Sequence, residues 1–196
     1  MRIRCIILIW ISCFLTGSSF AQRFYRGEKT ISFMMGFEDS SQFRPHARYT
    51  AFFANISYGR VNRNKTRWIF GLNADIKHYR IIEYYANSNT FTLDVAYLIP
   101  LLSNYQKSWI FSFGLGGNIG FDYMNDKSAN LFLVYKDRVI QNKLIFGGMG
   151  YFENEIYLSQ RIEWLLQCKL RYYLGNTTIS NYQWNFGTGI RLKLKT

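Results

Sequence analysis

The chain has 196 residues, of which 48% are hydrophobic, 19% aromatic and 18% charged, and its 24 Lys and Arg against 12 Asp and Glu give a formal charge of +12. That length fits one domain, with or without a short processed segment, and the hydrophobic content excludes intrinsic disorder. A mean hydropathy of -0.13 argues against a helical membrane bundle, and 15 Tyr, 17 Phe and 15 Gly beside only 2 Pro point to all-β structure.

The first residues are read as an export signal. Met1 to Arg4 is a short basic stretch, Cys5 to Leu15 is apolar, and Ser19 and Ala21 place small residues at the cleavage positions. The apolar run is too short to cross a bilayer as a helix, so a cleaved secretory signal peptide over residues 1–21 is expected, followed by a single barrel domain over 22–196. Lipidation at Cys13 is disfavoured by the residues before it. Removing residues 1–21 takes away Arg2 and Arg4 and leaves a formal +10, from 22 Lys and Arg against 12 Asp and Glu. Cys5 and Cys13 leave too, so Cys168 remains alone and no internal disulfide can form. His46 and His78 are far apart, no metal spacing is present, and no cofactor is expected.

From about residue 28 onward the chain alternates with a period of two. Eight segments carry this pattern: Ile31–Phe37, Phe52–Tyr58, Trp68–Lys77, Phe91–Tyr97, Ile110–Tyr123, Phe146–Tyr157, Trp164–Tyr173 and Trp184–Leu194. In the fifth, Phe111, Phe113, Leu115, Ile119, Phe121 and Tyr123 share a face with Gly117, and Ser112, Gly114, Gly116, Asn118, Gly120 and Asp122 share the other. Each segment is close to the roughly 9–11 residues of a tilted membrane-spanning strand. The fold predicted is an eight-stranded, antiparallel, up-and-down transmembrane β-barrel. Connections 38–48, 84–89, 124–142 and 175–182 are assigned to the outside. Those at 61–66, 100–107 and 158–161 become periplasmic turns, with both mature ends on the periplasmic side. Pro100 is placed in a turn, and Leu131–Tyr135 is read as a strand-like extension of the longest loop.

The aromatic face is almost free of charge. The opposite face carries Asp75, Lys77, Asp94, Asp122, Glu153, Glu155, Lys169, Arg171 and Arg191, five acids and four bases. Enclosed in a narrow barrel these groups can pair and fill the lumen, leaving no channel. Turned toward lipid, each cation near the midplane would cost about 2–4 kcal/mol. A soluble barrel would invert the pattern, and a soluble β-sandwich is the other alternative. The aromatics Tyr84, Tyr85, Trp109, Trp164, Tyr172, Tyr173 and Trp184 are assigned to interfacial girdles. Gly114, Gly116, Gly147, Gly187 and Gly189 are expected to point inward and make room for long charged side chains.

The densest basic patch is Arg60 to Arg67, in which Arg60, Arg63, Lys65 and Arg67 occur without an acid. It reads as a solvated turn flanking the membrane or as a contact for an acidic partner, anionic head groups or nucleic acid. Direct nucleic-acid binding is disfavoured because the aromatics are committed to lipid. No catalytic constellation emerges: His78 has no orienting acid nearby in sequence, and Glu153 and Glu155 face Lys169 and Arg171 on the next strand. No enzyme activity and no small-molecule substrate are expected.

Several motifs together are similar to the conjugative transposon TraO family, exported proteins of Bacteroidetes mobile elements. They are Ala21-Gln-Arg23 with Gly27 following, Glu83 through Asn87 to Tyr97, Phe113-Gly-Leu-Gly-Gly117 and Phe146-Gly-Gly148. Glu155-Ile-Tyr-Leu-Ser159 with Leu165-Leu-Gln167, and the closing Phe186-Gly-Thr-Gly-Ile-Arg-Leu192, complete the set. The resemblance implies an outer-membrane component of a conjugative, type IV secretion-like DNA transfer apparatus in a Gram-negative cell. Its implied partners are outer-membrane lipid and other apparatus subunits. A barrel this narrow cannot conduct DNA, so the implied role is anchor or scaffold, with Arg60, Arg63, Lys65 and Arg67 as the docking turn. The competing reading is a surface-binding or protective barrel similar to OmpX and OmpA, unrelated to conjugation.

Overall fold

The computed structural model describes residues 26–40, 47–81, 84–104, 108–126, 143–174 and 181–194. Eight strands follow in order: β1 (Lys29–Ser40), β2 (Ala47–Val61), β3 (Arg67–Ile81), β4 (Tyr84–Ser103), β5 (Trp109–Asp126), β6 (Lys143–Tyr157), β7 (Ile162–Tyr173) and β8 (Tyr182–Lys193). Each pairs antiparallel with its neighbour, and β1 pairs with β8 to close the barrel. Closure satisfies the backbone polar groups within the wall and leaves no open edge, which a chain with one cysteine outside its first 21 residues achieves without a staple. The signal segment and the strand-like stretch Leu131–Tyr135 lie outside the described residues.

The period of two in the sequence becomes inside and outside. Along β1, Phe33, Met35 and Phe37 are exposed, Met35 by 70%, whereas Ser32, Met34 and Glu38 are buried. The same alternation runs around the wall, with Phe91, Leu93 and Val95 outside and Thr92, Asp94 and Ala96 inside on β4. A continuous apolar belt of this extent is untenable against water and suits hydrocarbon. Trp68, Tyr97, Trp109 and Trp164 border the belt at one end, and Tyr123, Tyr172, Tyr182 and Trp184 at the other. The Trp68 and Tyr97 rings pack at a tilt of 59° with centroids 4.9 Å apart. Tyr173 is not a girdle residue: it points inward, 2% exposed, and its hydroxyl donates to Gln183 Oε1 at 2.7 Å.

The strands run further than the sequence expectation at several ends, with β1 reaching Ser40, β2 starting at Ala47 and β5 reaching Asp126, and two differences are larger. Residues 84–89, expected as an outer loop, belong to β4 and pair with β3 from Ile81↔Tyr84 to Ile76↔Asn89. Polar alternation satisfies a ladder above the belt as well as within it, so the loss of apolar residues does not end the strand. Pro100, expected in a turn, sits within β4 at a register shift between Pro100 and Leu102. The bulge accommodates a residue that has no N–H to give the ladder, and it leaves both Leu101 and Leu102 exposed.

The interior is not wholly polar. Ile69, Ala96, Leu98, Met149 and Tyr151 form a buried apolar cluster. Gly114, Gly116, Gly147, Gly187 and Gly189 serve the wall and apolar filling instead of long charged side chains, whereas Gly59 makes room for Arg67. A Cβ on Gly187 would lie 2.4 Å from Phe53 Cζ, and one on Gly116 would lie 2.2 Å from the Val95 carbonyl oxygen and 2.8 Å from Met149 Cε.

Candidate functional site

Two ion-paired clusters occupy the lumen. Toward the end where β1 finishes and β2 begins, Arg171 on β7 reaches across the barrel. Its Nη1 lies 3.0 Å from Asp75 Oδ2 on β3 and its Nη2 2.8 Å from Asp94 Oδ2 on β4. Lys169 Nζ joins the same Asp94 oxygen at 3.2 Å, while Thr92 Oγ1 donates to Asp94 Oδ1 at 3.0 Å. Asn73 donates to Asp75, and Lys77 pairs with Glu38 at 2.6 Å. Asp122 accepts from Ser88 Oγ at 2.9 Å and Thr90 Oγ1 at 3.0 Å.

The second cluster lies toward the opposite end. Arg191 on β8 places Nη2 2.6 Å from Glu153 Oε1, Nη1 3.1 Å from Glu155 Oε1, and Nε 2.9 Å from Ser32 Oγ. Arg67 on β3 approaches Glu155 with both guanidinium nitrogens, at 2.8 and 3.3 Å. Tyr151 donates to Glu153 Oε2 at 2.9 Å, and Gln167 donates to Tyr151. Lys193 closes this end, 3.0 Å from Glu163 and 3.2 Å from Glu28.

All nine lumen residues chosen from the sequence therefore face inward, distributed between these clusters. Five further charged participants were missed: Glu28, Glu38, Arg67, Glu163 and Lys193. Each lies at or near an end of its strand, where the same alternation simply continues. Arg67 is also a correction. Expected in the docking turn, it is 3% exposed and bound inside the barrel. It shares its face with Ile69, Asn73 and Asp75, and the first residue of β3 already obeys the pleat.

Desolvating a single charge costs several kcal/mol, which is tolerated only with good partners and satisfied hydrogen bonds. Arg171 at 0% and Arg191 at 1% exposure each face carboxylates at ion-pair distance, although Arg171 Nε is buried without a hydrogen-bond partner. The network therefore ties opposite walls together and fills the bore. Among the described residues, no group of three or more His, Cys, Asp or Glu could hold a metal ion.

The outer surface has the opposite character. Every Asp and Glu whose side chain is described is buried, whereas the exposed cations Arg26, Lys29, Arg60, Arg63, Lys65 and Arg161 all sit at the end bearing the short turns. In the β2–β3 turn, Asn62 N–H donates to Thr66 O at 2.8 Å and Lys65 N–H to Asn62 O at 3.3 Å. Lys65 has φ 63°, a left-handed backbone that costs a residue with a Cβ about 1–2 kcal/mol. Arg63 and Lys65 project from this tip, while Arg60 belongs to the wall of β2. Two of the four expected docking residues thus remain at the turn tip.

Solved barrels share this architecture. The chain is similar to Neisserial surface protein A, NspA, with a TM-score of 0.55 and 10% identity over 85% of this chain and 96% of that one. Against the outer membrane protein OprG of Pseudomonas aeruginosa the values are 0.54 and 11% over 87% and 97%. Against Ail, the attachment invasion locus protein of Yersinia pestis, they are 0.51 and 8% over 86% and 100%. No curated protein matches the sequence. Residues 26–194 match the family described as Conjugative transposon protein TraO.

Proposed function

Because the chain belongs to the conjugative transposon protein TraO family, we propose that it is a non-enzymatic outer-membrane component of a conjugative, type IV secretion-like DNA transfer apparatus, serving as anchor or scaffold. The observation that carries this reading is the filled lumen. Arg171 bridges β7 to β3 and β4, and Arg191 and Arg67 converge on β6. With the bore occupied, neither DNA nor a pilus passes through, and the contribution to transfer is made by surfaces.

The surface facing the periplasm is the basic turn end. Arg63 and Lys65 at the β2–β3 tip are the docking residues of this reading, for an acidic surface on another apparatus subunit. Changing both to Gln is expected to lower conjugal transfer at least several-fold, while the protein keeps its heat-modifiable gel mobility in the outer membrane. Unchanged transfer by that variant removes the docking role.

A second reading has its own observation. β4 runs for 20 residues and β5 for 18, well beyond the roughly 9–11 needed to span, so a paired ladder projects past the belt on the side of the longer loops. Such a projection suits a surface-binding or protective barrel. Loss of adhesion or serum resistance in a deletion strain, with normal transfer, would favour it.

A further inference from the structure

We propose that Lys29 and Arg60 together hold the phosphodiester of an anionic phospholipid against the barrel wall at its turn end. Among outward-facing strand positions with described side chains, these two alone carry a Lys, Arg, Asp or Glu. They are also direct cross-strand partners, Lys29 on β1 opposite Arg60 on β2. Like charges placed opposite each other on one face of a sheet are destabilising, and an anion between them reverses the sign of that interaction. Neither forms an ion pair among the described residues, and Glu28, the acid next to Lys29 in sequence, is turned into the lumen toward Lys193.

Position selects the source of the anion. Arg60 pairs on its other side with Trp68, and Trp68 packs on Tyr97 at the border of the belt. Tyr97 is fixed there by its hydroxyl, which donates to Thr66 Oγ1 at 2.8 Å. One step further along the same face come Ile31, Tyr58 and Phe70, a row that belongs to hydrocarbon. The two cations therefore stand at head-group height, directly beside the acyl chains, where aromatic rings and long basic side chains mark the interface. Arg offers a planar fork for two phosphate oxygens and Lys a point charge, so the pair matches a phosphodiester. An acidic protein would be met by the turn tip and not by wall residues flanking the belt. The inference rests on membrane embedding of the belt and is independent of any role in conjugation.

The test uses the full mature chain folded into phosphatidylcholine bilayers containing trace spin-labelled phosphatidylglycerol or spin-labelled phosphatidylcholine. The fraction of each lipid immobilised at the protein is read by electron spin resonance. The native protein is expected to prefer phosphatidylglycerol. Each cation near the surface accounts for about a fivefold effect, so Lys29→Gln with Arg60→Gln should remove the preference. Arg63→Gln with Lys65→Gln should keep it, and both variants should retain the heat-modifiable mobility of a folded barrel. Preference unchanged in the first variant, or an equal fall in both, overturns the site. Displacement of the lipid by inorganic phosphate assigns the pair to the free anion, and displacement by polyglutamate at matched ionic strength assigns it to an acidic protein; either overturns the lipid assignment. Absence of any immobilised lipid would instead refute embedding itself.

Discussion

Arg171 shows how a single side chain can be both costly and indispensable. It is wholly buried, yet it satisfies Asp75 and Asp94 at once and shares Asp94 with Lys169. Replacing it by Met keeps the volume but leaves two carboxylates with too little positive charge in a closed space. The expected loss is about 3–5 kcal/mol, measured by urea unfolding from lipid vesicles. A variant as stable as the native protein would mean that the lumen is hydrated enough to solvate those carboxylates. Arg67 carries a related lesson, because a residue assigned to a basic patch by its neighbours in sequence is assigned to the lumen by its parity in the strand.

At the scale of the element, the wall is built from pleats whose two sides see different media. Gly187 on β8 illustrates the inner constraint: it faces Phe53 from β2 across a gap that a Cβ would close to 2.4 Å. Gly187→Val is expected to destabilise the barrel by about 1–3 kcal/mol, seen as a lower unfolding midpoint and a weaker heat-modifiable band. Normal behaviour of that variant would show that Phe53 moves aside freely. The eight strands were legible in the sequence because lipid on one side and a charged lumen on the other impose opposite chemistries on alternate residues. Their ends were not. Glu38 and the stretch 87–89 continue the pleat past the apolar belt, where no hydrophobic residue marks the continuation. Pro100 was misplaced because a bulge absorbs the residue that an uninterrupted ladder would reject. The partners within the lumen were hidden for another reason. Parity gives the face of a residue but not its height in a tilted barrel, so Arg191 meeting Glu153 and Ser32 follows only from the closed register.

At the scale of the whole molecule, charge is sorted. Among the described side chains the acids are all inside and the exposed cations all stand at the turn end, which presents a positive rim. That arrangement is consistent with the proposed platform role. Conjugal transfer frequency from a donor carrying an in-frame deletion of this chain tests the platform role most directly. Loss of transfer, restored by the native chain supplied in trans and recovered in the outer-membrane fraction, is the predicted result. Transfer at the undiminished native frequency from the deletion donor would contradict it.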